Sequence, residues 1–255
     1  MPLTSSKPLS RLSGLEKIVV LTGAGVSAES GMGTFRDKCG IWTRHRLEDV
    51  ATPEGFARDP VLVHGFYNAR RSALHGAEPN AAHRALAQLE ATVEARGGRF
   101  LLVTQNVDDL HEKAGSSNVI HMHGELTSVL CEACGERTRW EGDLSTASTC
   151  PVCGQKAKLR PDVVWFGEIP YRMDEIQDVL SQCDLFVSIG TSGEVYPAAG
   201  FVLMARSMGA HTVELNLEPS QNARDFTEGR YGPASEVVAE WVNDVFGACP
   251  ETRRS

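Results

Sequence analysis

The sequence predicts an α/β fold built on a Rossmann-like parallel sheet, with a smaller lobe made of two inserts. Short apolar runs typical of buried strands recur along the chain and alternate with helical stretches, as in doubly covered parallel sheets. The first run stops abruptly at Gly23-Ala24-Gly25, which is how α/β proteins build a turn that approaches phosphate. Two segments, residues 38–78 and 128–160, do not fit the alternation and are predicted as the inserts.

Each strand of the main sheet is predicted from a short apolar run. The helices between them are predicted from apolar residues that share one face, and Asn80 is the expected N-cap of the clearest one. The predicted strands are 18–22, 100–104, 185–189 and 212–215, and the predicted helices are 80–96, 197–208 and 235–246.

The two inserts differ in character. Residues 38–78 carry no strand-like run and are predicted to be helical, whereas residues 128–160 are rich in paired cysteines, glycine and threonine. Both are expected to pack together as the small domain. The predicted Rossmann-like main domain then comprises residues 15–37, 79–127 and 161–250, with 38–78 as the helical insert and 128–160 as the cysteine-paired insert.

Composition narrows the functional class. The net charge of −8 over 255 residues argues against nucleic acid as the main ligand, because phosphate binding needs a basic face. No apolar run reaches the roughly 18 residues of a membrane span, and the first residues lack the apolar core of a secretory signal. These observations predict a cytoplasmic protein that binds neither membrane nor nucleic acid, and a monomer is expected.

Four of the seven cysteines form a metal-binding pattern. The spacing Cys131-x2-Cys134-x15-Cys150-x2-Cys153 matches a tetrahedral structural zinc site of the ribbon type. The odd cysteine total favours a reducing compartment over a disulfide framework. Since protein thiolates would fill all four positions, this metal has no open site for water and does not indicate a metallohydrolase.

The glycine turn fits a dinucleotide site only in part. Gly23-x-Gly25-x-x-Ala28 matches the Rossmann fingerprint in its G/A form. A dehydrogenase would also need a strand ending in Asp or Glu about 20 residues later. Glu48 and Asp49 follow no apolar run, so a dehydrogenase is the disfavoured alternative.

Polar residues follow the predicted strands where ligands bind in open α/β sheets. Gln105, Asn106 and Asp108 come after the second strand, although turns and helix caps also use such residues. His121 and His123 follow, and strand alternation would place them on one side. A histidine can take a proton from a sugar hydroxyl near neutral pH, but for His121 a satisfied core histidine is the preferred interpretation.

Six motifs in order resemble those of the sirtuins, NAD-dependent protein-lysine deacylases. The resemblance covers about residues 15 to 246 and rests on GAGVSAESGMGTFR, TQNVDDLH, HMHGE, the paired CxxC, VVWFGE and GTSGEVYPA. The form HMHGE together with FYNARR is similar to the bacterial desuccinylase-like branch. The resemblance implies NAD as a consumed co-substrate and acylated-lysine proteins or peptides as partners.

The resemblance also implies residue roles. His123 would be the catalytic base, and Asn106 and Asp108 would meet the nicotinamide ribose and carboxamide. The other implied NAD-binding residues are Gly23, Ala24, Gly25, Ser27, Glu29, Phe35, Arg36, Trp42, Gln105, Val107, Gly190, Thr191, Ser192, Asn216, Leu217, Glu218 and Ala234.

The implied reaction begins with attack of the acyl oxygen of a modified lysine on C1′ of the nicotinamide ribose, which expels nicotinamide. His123 then takes a proton through the ribose hydroxyls, so that the 2′-oxygen attacks the captured acyl carbon. Free lysine, nicotinamide and O-acyl-ADP-ribose result. Protein mono-ADP-ribosyl transfer and a non-catalytic NAD or acyl-lysine sensor are the alternatives.

The helical insert carries the two residues that are expected to select the acyl group. Tyr67 and Arg70 lie three apart, so on a helix they share a face, and a phenol beside a guanidinium can bind a carboxylate. The alternative is a surface arginine beside a half-buried tyrosine. The resemblance matches both residues to the pair that reads succinyl- or malonyl-lysine, and Ala51 to a small residue that leaves room. The implied peptide-binding residues are Val164, Phe166, Gly167, Glu168, Glu194 and Val195.

Overall fold

A six-stranded parallel sheet forms the centre of the larger part of the molecule. The computed structural model describes residues 16–33 and 46–247. In chain order the strands are β1 (Lys17–Thr22), β2 (Arg99–Thr104), β3 (Val119–His121), β7 (Leu185–Ile189), β8 (His211–Asn216) and β9 (Glu228–Tyr231). They lie in the order β3-β2-β1-β7-β8-β9, the order of a dinucleotide-binding sheet that reverses between its first and fourth strands. The predicted fold class is confirmed.

Helices cover both faces of this sheet. α4 (Ala81–Ala95) and α8 (Ala234–Phe246) pack against Ile18 and Val20 of β1. α6 (Met173–Leu180) and α7 (Phe201–Ser207) pack against Val19 and Leu21 on the opposite face. Since both faces are covered, the central strands are buried at successive positions rather than at alternate ones.

The predicted N-cap of α4 is confirmed. The Asn80 side chain accepts a hydrogen bond from Ala82 N at 2.9 Å, and the His83 ring accepts one from Asn80 N at 3.3 Å. This reciprocal arrangement satisfies backbone groups that have no partner within the helix.

A second, three-stranded antiparallel sheet belongs to the smaller part of the molecule. It contains β4 (Gly124–Cys131), β5 (Arg137–Arg139) and β6 (Leu159–Val163) in the order β5-β4-β6. Its strands extend beyond the predicted insert, residues 128–160, at both ends, because β4 begins at Gly124 and β6 ends at Val163. The sequence-based domain limits stay a proposal.

The segment 46–78 is helical, as predicted for this insert. It forms α1 (Leu47–Val50), α2 (Pro53–Arg58) and α3 (Pro60–His75). Outside this segment, the short helix α5 (Leu110–Lys113) follows β2. Buried Arg71 of α3 donates to Leu126 O at 2.6 Å and to the Asn68 side chain at 2.9 Å. Asn68 in turn bonds both backbone groups of Leu144, so α3 is fastened to the second sheet by hydrogen bonds.

The chain passes from one sheet to the other through His121–Gly124, and here strand alternation fails as a guide. β3 ends at His121, Met122 and His123 form a turn, and β4 begins at Gly124. Gly124 has φ +81°, and a Cβ there would lie 2.0 Å from Asp162 O. The expectation that both histidines lie on one strand is therefore wrong, because the backbone turns between them.

Several elements lie outside the predicted set. β3, β9 and α6 were not predicted, and the helix expected over 197–208 begins as a separate short turn, Ala198–Gly200, before α7. Among the helices of the described residues, none is long and apolar enough to cross a bilayer.

The ends of β1 and β7 approach each other closely through glycines. Gly23 N donates to Ile189 O and Gly25 N donates to Gly190 O, both at 2.9 Å. A Cβ on Gly25 would lie 2.7 Å from Gly190 Cα, and Gly190 itself has φ +62°. Glycine is required at this crossing because both backbones occupy the space of a side chain.

Gly25→Ala is expected to destabilise the fold by about 1–3 kcal/mol, the usual cost of overpacking, because the new methyl group must push the β7 end away. Denaturant-induced unfolding measures this change. Gly65→Ala is the matched control, since Gly65 is exposed on α3 with no atom within 4 Å of the added Cβ. It should stabilise the protein by up to about 1 kcal/mol. Equal unfolding free energies for Gly25→Ala and the parent protein would contradict the crowding.

Candidate active site

The crevice at the point where strand order reverses gathers the ends of three strands. Besides the contacts between β1 and β7, Gly190 N donates to Leu215 O of β8 at 3.0 Å. The Asn216 side chain donates to Thr191 O at 2.8 Å, and Ser192 O accepts from Gln221 N. The predicted cofactor residues of these three loops are therefore brought together where α/β sheets bind their ligands.

The end of β2 contributes a buried polar group to the same crevice. The Asn106 amide donates to Ser27 Oγ at 3.1 Å, and its backbone N donates to Thr104 Oγ1 at 3.0 Å. Asp108 lies beside them, buried, and accepts from Leu110 N at 3.3 Å. Burial raises the pKa of Asp108, a shift that its hydrogen bonds and nearby cationic groups oppose.

A buried network below this group was not predicted from the sequence. Thr22 Oγ1 contacts both Thr104 Oγ1 at 2.8 Å and His111 Nε2 at 3.0 Å, and the His83 and His111 rings lie 4.8 Å apart. Burial lowers the pKa of His83 to about 4, so this support is uncharged at neutral pH. No spacing in the sequence links these residues, which come from separate elements.

The position of His123 and the tautomer of its neutral ring suit a general base. Its Nδ1 lies 3.1 Å from the carbonyl oxygen of Gln105, and since a carbonyl only accepts, Nδ1 carries the hydrogen. Nε2 of the neutral ring is then left with its lone pair. Burial lowers the pKa of His123 below its ordinary value, with partial opposition from the Gln105 hydrogen bond. The neutral form therefore predominates at physiological pH.

His121 differs in both partners and charge. Its Nε2 lies 2.7 Å from a Glu112 carboxylate oxygen, and its Nδ1 lies 3.2 Å from Asn106 O. Burial alone would lower the pKa of His121, but the hydrogen bond and charge of Glu112 outweigh it and raise the pKa. An acceptor at each nitrogen favours the protonated ring, which supports the interpretation of His121 as a structural residue.

The residues expected to select the acyl group lie on α3. Tyr67 is buried, and its phenol oxygen accepts a hydrogen bond from Trp165 Nε1 at 2.9 Å. The Arg70 guanidinium lies 5.9 Å from the centre of the Phe66 ring. Burial lowers the pKa of Arg70, and the nearby Tyr67 and Asp108 oppose this shift. Arg70 thus lies near both the Tyr67 phenol and the buried Asp108 carboxylate.

Two of the predicted peptide-binding residues, Val164 and Phe166, lie in the loop after β6, which bonds to the backbone of His123. Val164 N donates to His123 O at 2.9 Å, and Phe166 N donates to Ala51 O at 3.0 Å. Phe166, Gly167, Glu194 and Val195 are exposed, as residues that meet a peptide must be.

Glu168 is occupied within the protein. Its two carboxylate oxygens each accept from Arg160 at 2.8 Å, and Oε2 also accepts from Trp165 N at 2.8 Å. The carboxylate therefore holds the 164–168 loop in shape.

The remaining predicted cofactor residues are more dispersed. Glu29 binds Ser235 at the start of α8, accepting from its backbone N at 3.0 Å and its hydroxyl at 2.5 Å, beside Ala234. Leu217 and Glu218 are exposed just beyond β8, and Val107 is buried with its carbonyl bound to Leu126 N. Phe35, Arg36 and Trp42 lie outside the described residues.

The four predicted metal ligands converge. Their sulfurs all lie within 4.8 Å of one another, with Cys131 and Cys153 separated by 3.7 Å and Cys134 and Cys150 by 3.9 Å. A regular tetrahedron with Zn–S distances of about 2.3 Å has S···S edges of about 3.8 Å. The thiols therefore fit a structural zinc ion, which would join the turn after β4 to the segment before β6.

The crevice and the histidine together define a class of protein. A glycine-lined cradle at the reversal point of a parallel sheet fits the pyrophosphate of a dinucleotide, and the polar groups of Ser27, Asn106 and Asp108 fit a ribose. Neutral His123 lies where the chain passes from the parallel sheet to the second sheet, next to the lobe that holds the cysteine cluster. This combination is that of a protein that binds NAD beside a base.

The comparisons identify the family. Residues 23–197 match the model of the Sir2 family, and the chain belongs to that family. A Caulobacter vibrioides protein named NAD-dependent protein deacylase is 62% identical over 231 residues, covering 91% of this chain and 97% of the relative.

Two solved structures share the fold. A Sir2 homologue in complex with NAD is 40% identical, with a TM-score of 0.84 and coverage of 93% of this chain and 92% of that one. A mutant Sir2 homologue in complex with 2′-O-acetyl ADP ribose is 38% identical, with a TM-score of 0.86 and coverage of 98% and 100%.

We expect the purified protein to contain one zinc ion per chain by elemental analysis. Cys131→Ser should lose this zinc and lower the melting temperature, because metal binding contributes directly to the folding of such modules. Cys183→Ser is the control, since this buried cysteine lies outside the cluster and its variant should keep zinc. A metal-free parent protein with the same melting temperature before and after chelation would contradict the assignment.

Proposed function

We propose that this protein is an NAD-dependent protein-lysine deacylase that removes succinyl and malonyl groups as well as acetyl groups. The family membership supports deacylation. The observation that carries the proposal is the set of contacts around His123: its Nδ1 binds the Gln105 carbonyl, which leaves Nε2 unprotonated, and its own carbonyl accepts from Val164 N. Val164 precedes Trp165, whose indole N–H binds the Tyr67 phenol.

The residues present fit NAD. The backbone N–H groups of Gly23, Gly25 and Gly190 are used within the protein, so those of Ala24, Thr191 and Ser192 would hold the pyrophosphate, with Asn216 beside the adenosine end. Ser27, Asn106 and Asp108 would hold the nicotinamide ribose and carboxamide. When bound, NAD supplies the ribose carbon that loses nicotinamide and accepts the acyl oxygen.

His123 performs the proton transfer at its Nε2. The Gln105 carbonyl holds the ring through Nδ1 at 3.1 Å, so Nε2 is presented to a ribose hydroxyl in the unprotonated state. Once Nε2 takes the proton, the same carbonyl dipole stabilises the positive charge on the ring. A base fixed in one tautomer avoids a reorientation during the reaction.

Arg70 and Tyr67 select the acyl group. A guanidinium can bind a distal carboxylate through two parallel hydrogen bonds, and the phenol can add a third. Buried Ala51 leaves space for the longer acyl chain next to the Phe166 backbone. The peptide itself would extend between the 164–167 and 193–195 loops by strand addition.

An acylated protein or peptide is the expected partner. The net charge of −8 supports this choice over nucleic acid. A cytoplasmic location and a monomeric state remain predictions from composition. Mass spectrometry of a reaction with NAD and an acylated peptide tests the reaction class: O-acyl-ADP-ribose supports deacylation, whereas ADP-ribosylated protein would point to ADP-ribosyl transfer.

His123→Ala should lower kcat by about 10²–10⁴-fold, the usual contribution of a positioned general base, with little change in melting temperature. In the parent enzyme the rate should rise with pH while His123 loses its proton and should be level at neutral pH. Because burial holds the pKa of His123 below its ordinary value of 6.5, the midpoint of this rise should lie below that pH. A pH–rate profile of the peptide reaction measures both, and an inflection above pH 7 would contradict the assignment.

Arg70→Met should lower kcat/KM for a succinyl-lysine peptide by about 10–100-fold, the scale of a hydrogen bond to a charged group. The same peptide carrying an acetyl group should change by no more than about threefold, because an acetyl group has no carboxylate. Arg70→Lys is the matched variant; it keeps the charge without the planar fork and should be intermediate. Equal loss on both peptides would overturn carboxylate recognition.

A further inference from the structure

Trp165 is the residue that contacts the phenol of Tyr67 from the loop beside His123. Its indole N–H donates to Tyr67 Oη at 2.9 Å across 98 positions of the chain. The side chains are nearly inaccessible, with exposures of 2% for Trp165 and 1% for Tyr67. The contact joins the peptide-binding loop to the helix that carries Arg70.

This hydrogen bond fixes the direction in which the phenol can donate. An indole N–H only donates, so Tyr67 Oη is the acceptor in this pair. The single hydroxyl hydrogen of Tyr67 must then point away from Trp165. Burial raises the pKa of Tyr67, so this hydrogen is retained at neutral pH.

Trp165 is itself held on two sides. The Arg160 guanidinium lies 4.0 Å from the centre of the indole ring, and the Glu168 carboxylate accepts from Trp165 N at 2.8 Å. Arg160 and Glu168 are joined to each other by two hydrogen bonds of 2.8 Å. The indole therefore has a fixed plane and a fixed backbone, which makes it a rigid donor.

We propose that Trp165 is a positioning residue for acyl-group selection, which orients the Tyr67 hydroxyl toward the distal carboxylate of the acyl-lysine bound by Arg70. The inference rests on the proposed function. It adds a residue outside the Tyr67–Arg70 pair and assigns the Arg160–Glu168 ion pair the task of holding that residue.

The effect should be confined to acidic acyl groups. A carboxylate gains a short, correctly directed O–H donor only if the hydroxyl is already aligned, whereas a freely rotating hydroxyl must first be ordered. An acetyl group ends in a methyl and takes no hydrogen bond at that position. Trp165 therefore influences binding of the acidic acyl group more than the proton transfer at His123.

Trp165→Phe keeps an aromatic ring and removes the N–H. We expect KM for a succinyl-lysine peptide to rise by about fivefold to tenfold, as for loss of a single hydrogen bond, with kcat nearly unchanged. The acetyl-lysine peptide should change by less than about twofold. The ratio of the two kcat/KM values is independent of the fraction of folded enzyme, so it stays informative if the variant is less stable.

A double-mutant cycle with Tyr67→Phe separates positioning from general loosening. If Trp165 acts through the Tyr67 hydroxyl, Trp165→Phe should not alter the succinyl-to-acetyl ratio further once that hydroxyl is absent. Trp140→Phe is the matched control, because Trp140 donates its indole N–H to Asp143 O at 3.4 Å near the cysteine cluster. It should leave the ratio unchanged.

The outcomes separate failure of the Trp165 role from failure of the proposed function. If Arg70→Met is selective but Trp165→Phe lowers both activities equally, or lowers the ratio equally in the Tyr67→Phe background, the role of Trp165 is overturned and the proposed function stands. If Arg70→Met is not selective, carboxylate recognition fails and the role of Trp165 fails with it.

Discussion

The contact between the backbones of Gly25 and Gly190 is the constraint on which the arrangement of the site depends. It brings the ends of β1 and β7 within hydrogen-bonding distance, 2.9 Å from Gly25 N to Gly190 O, with no room for a Cβ on either side. Because Gly190 also binds β8 through Leu215, three strand ends share one rim. Because Gly25 and Gly190 carry no side chains, an anion can approach the backbone of this rim closely.

The second constraint is the passage of the chain between the two sheets. The turn at Met122 and His123 places the candidate base where the chain passes between the sheets. Two backbone hydrogen bonds hold the turn, Val164 N to His123 O and Tyr171 N to Met122 O, both at 2.9 Å, and Gly124 pairs with Val163 in the second sheet. The histidine thus takes its position from both sheets. The cysteine cluster lies at the end of β4 opposite Gly124, so it is separate from the turn that carries His123.

The sequence predicted what depends on local pattern and missed what depends on distant partners. Apolar runs identified the four central strands, but β9 reads Glu228–Tyr231 and is mostly exposed at the sheet edge, so it has no apolar signal. β4 changes register between Gly124 and Val129, which breaks the alternation of a regular strand. The metal ligands were readable because their spacing is local. The contact of Trp165 with Tyr67 joins residues 98 positions apart, and no spacing rule could reveal it.

Neighbouring residues of one type show why the partner decides the role. His121 and His123 are both partly buried, yet a carboxylate beside His121 favours the protonated ring, whereas a carbonyl beside His123 leaves Nε2 without a hydrogen. Arg70 and Arg71 diverge in the same way. Arg71 gives its donors to Leu126 O and Asn68 and so fastens α3 to the second sheet, whereas Arg70 faces Tyr67 and the Asp108 side of the crevice. Since a helix turns by about 100° per residue, consecutive arginines of α3 point to two different sides of the helix and contact different partners.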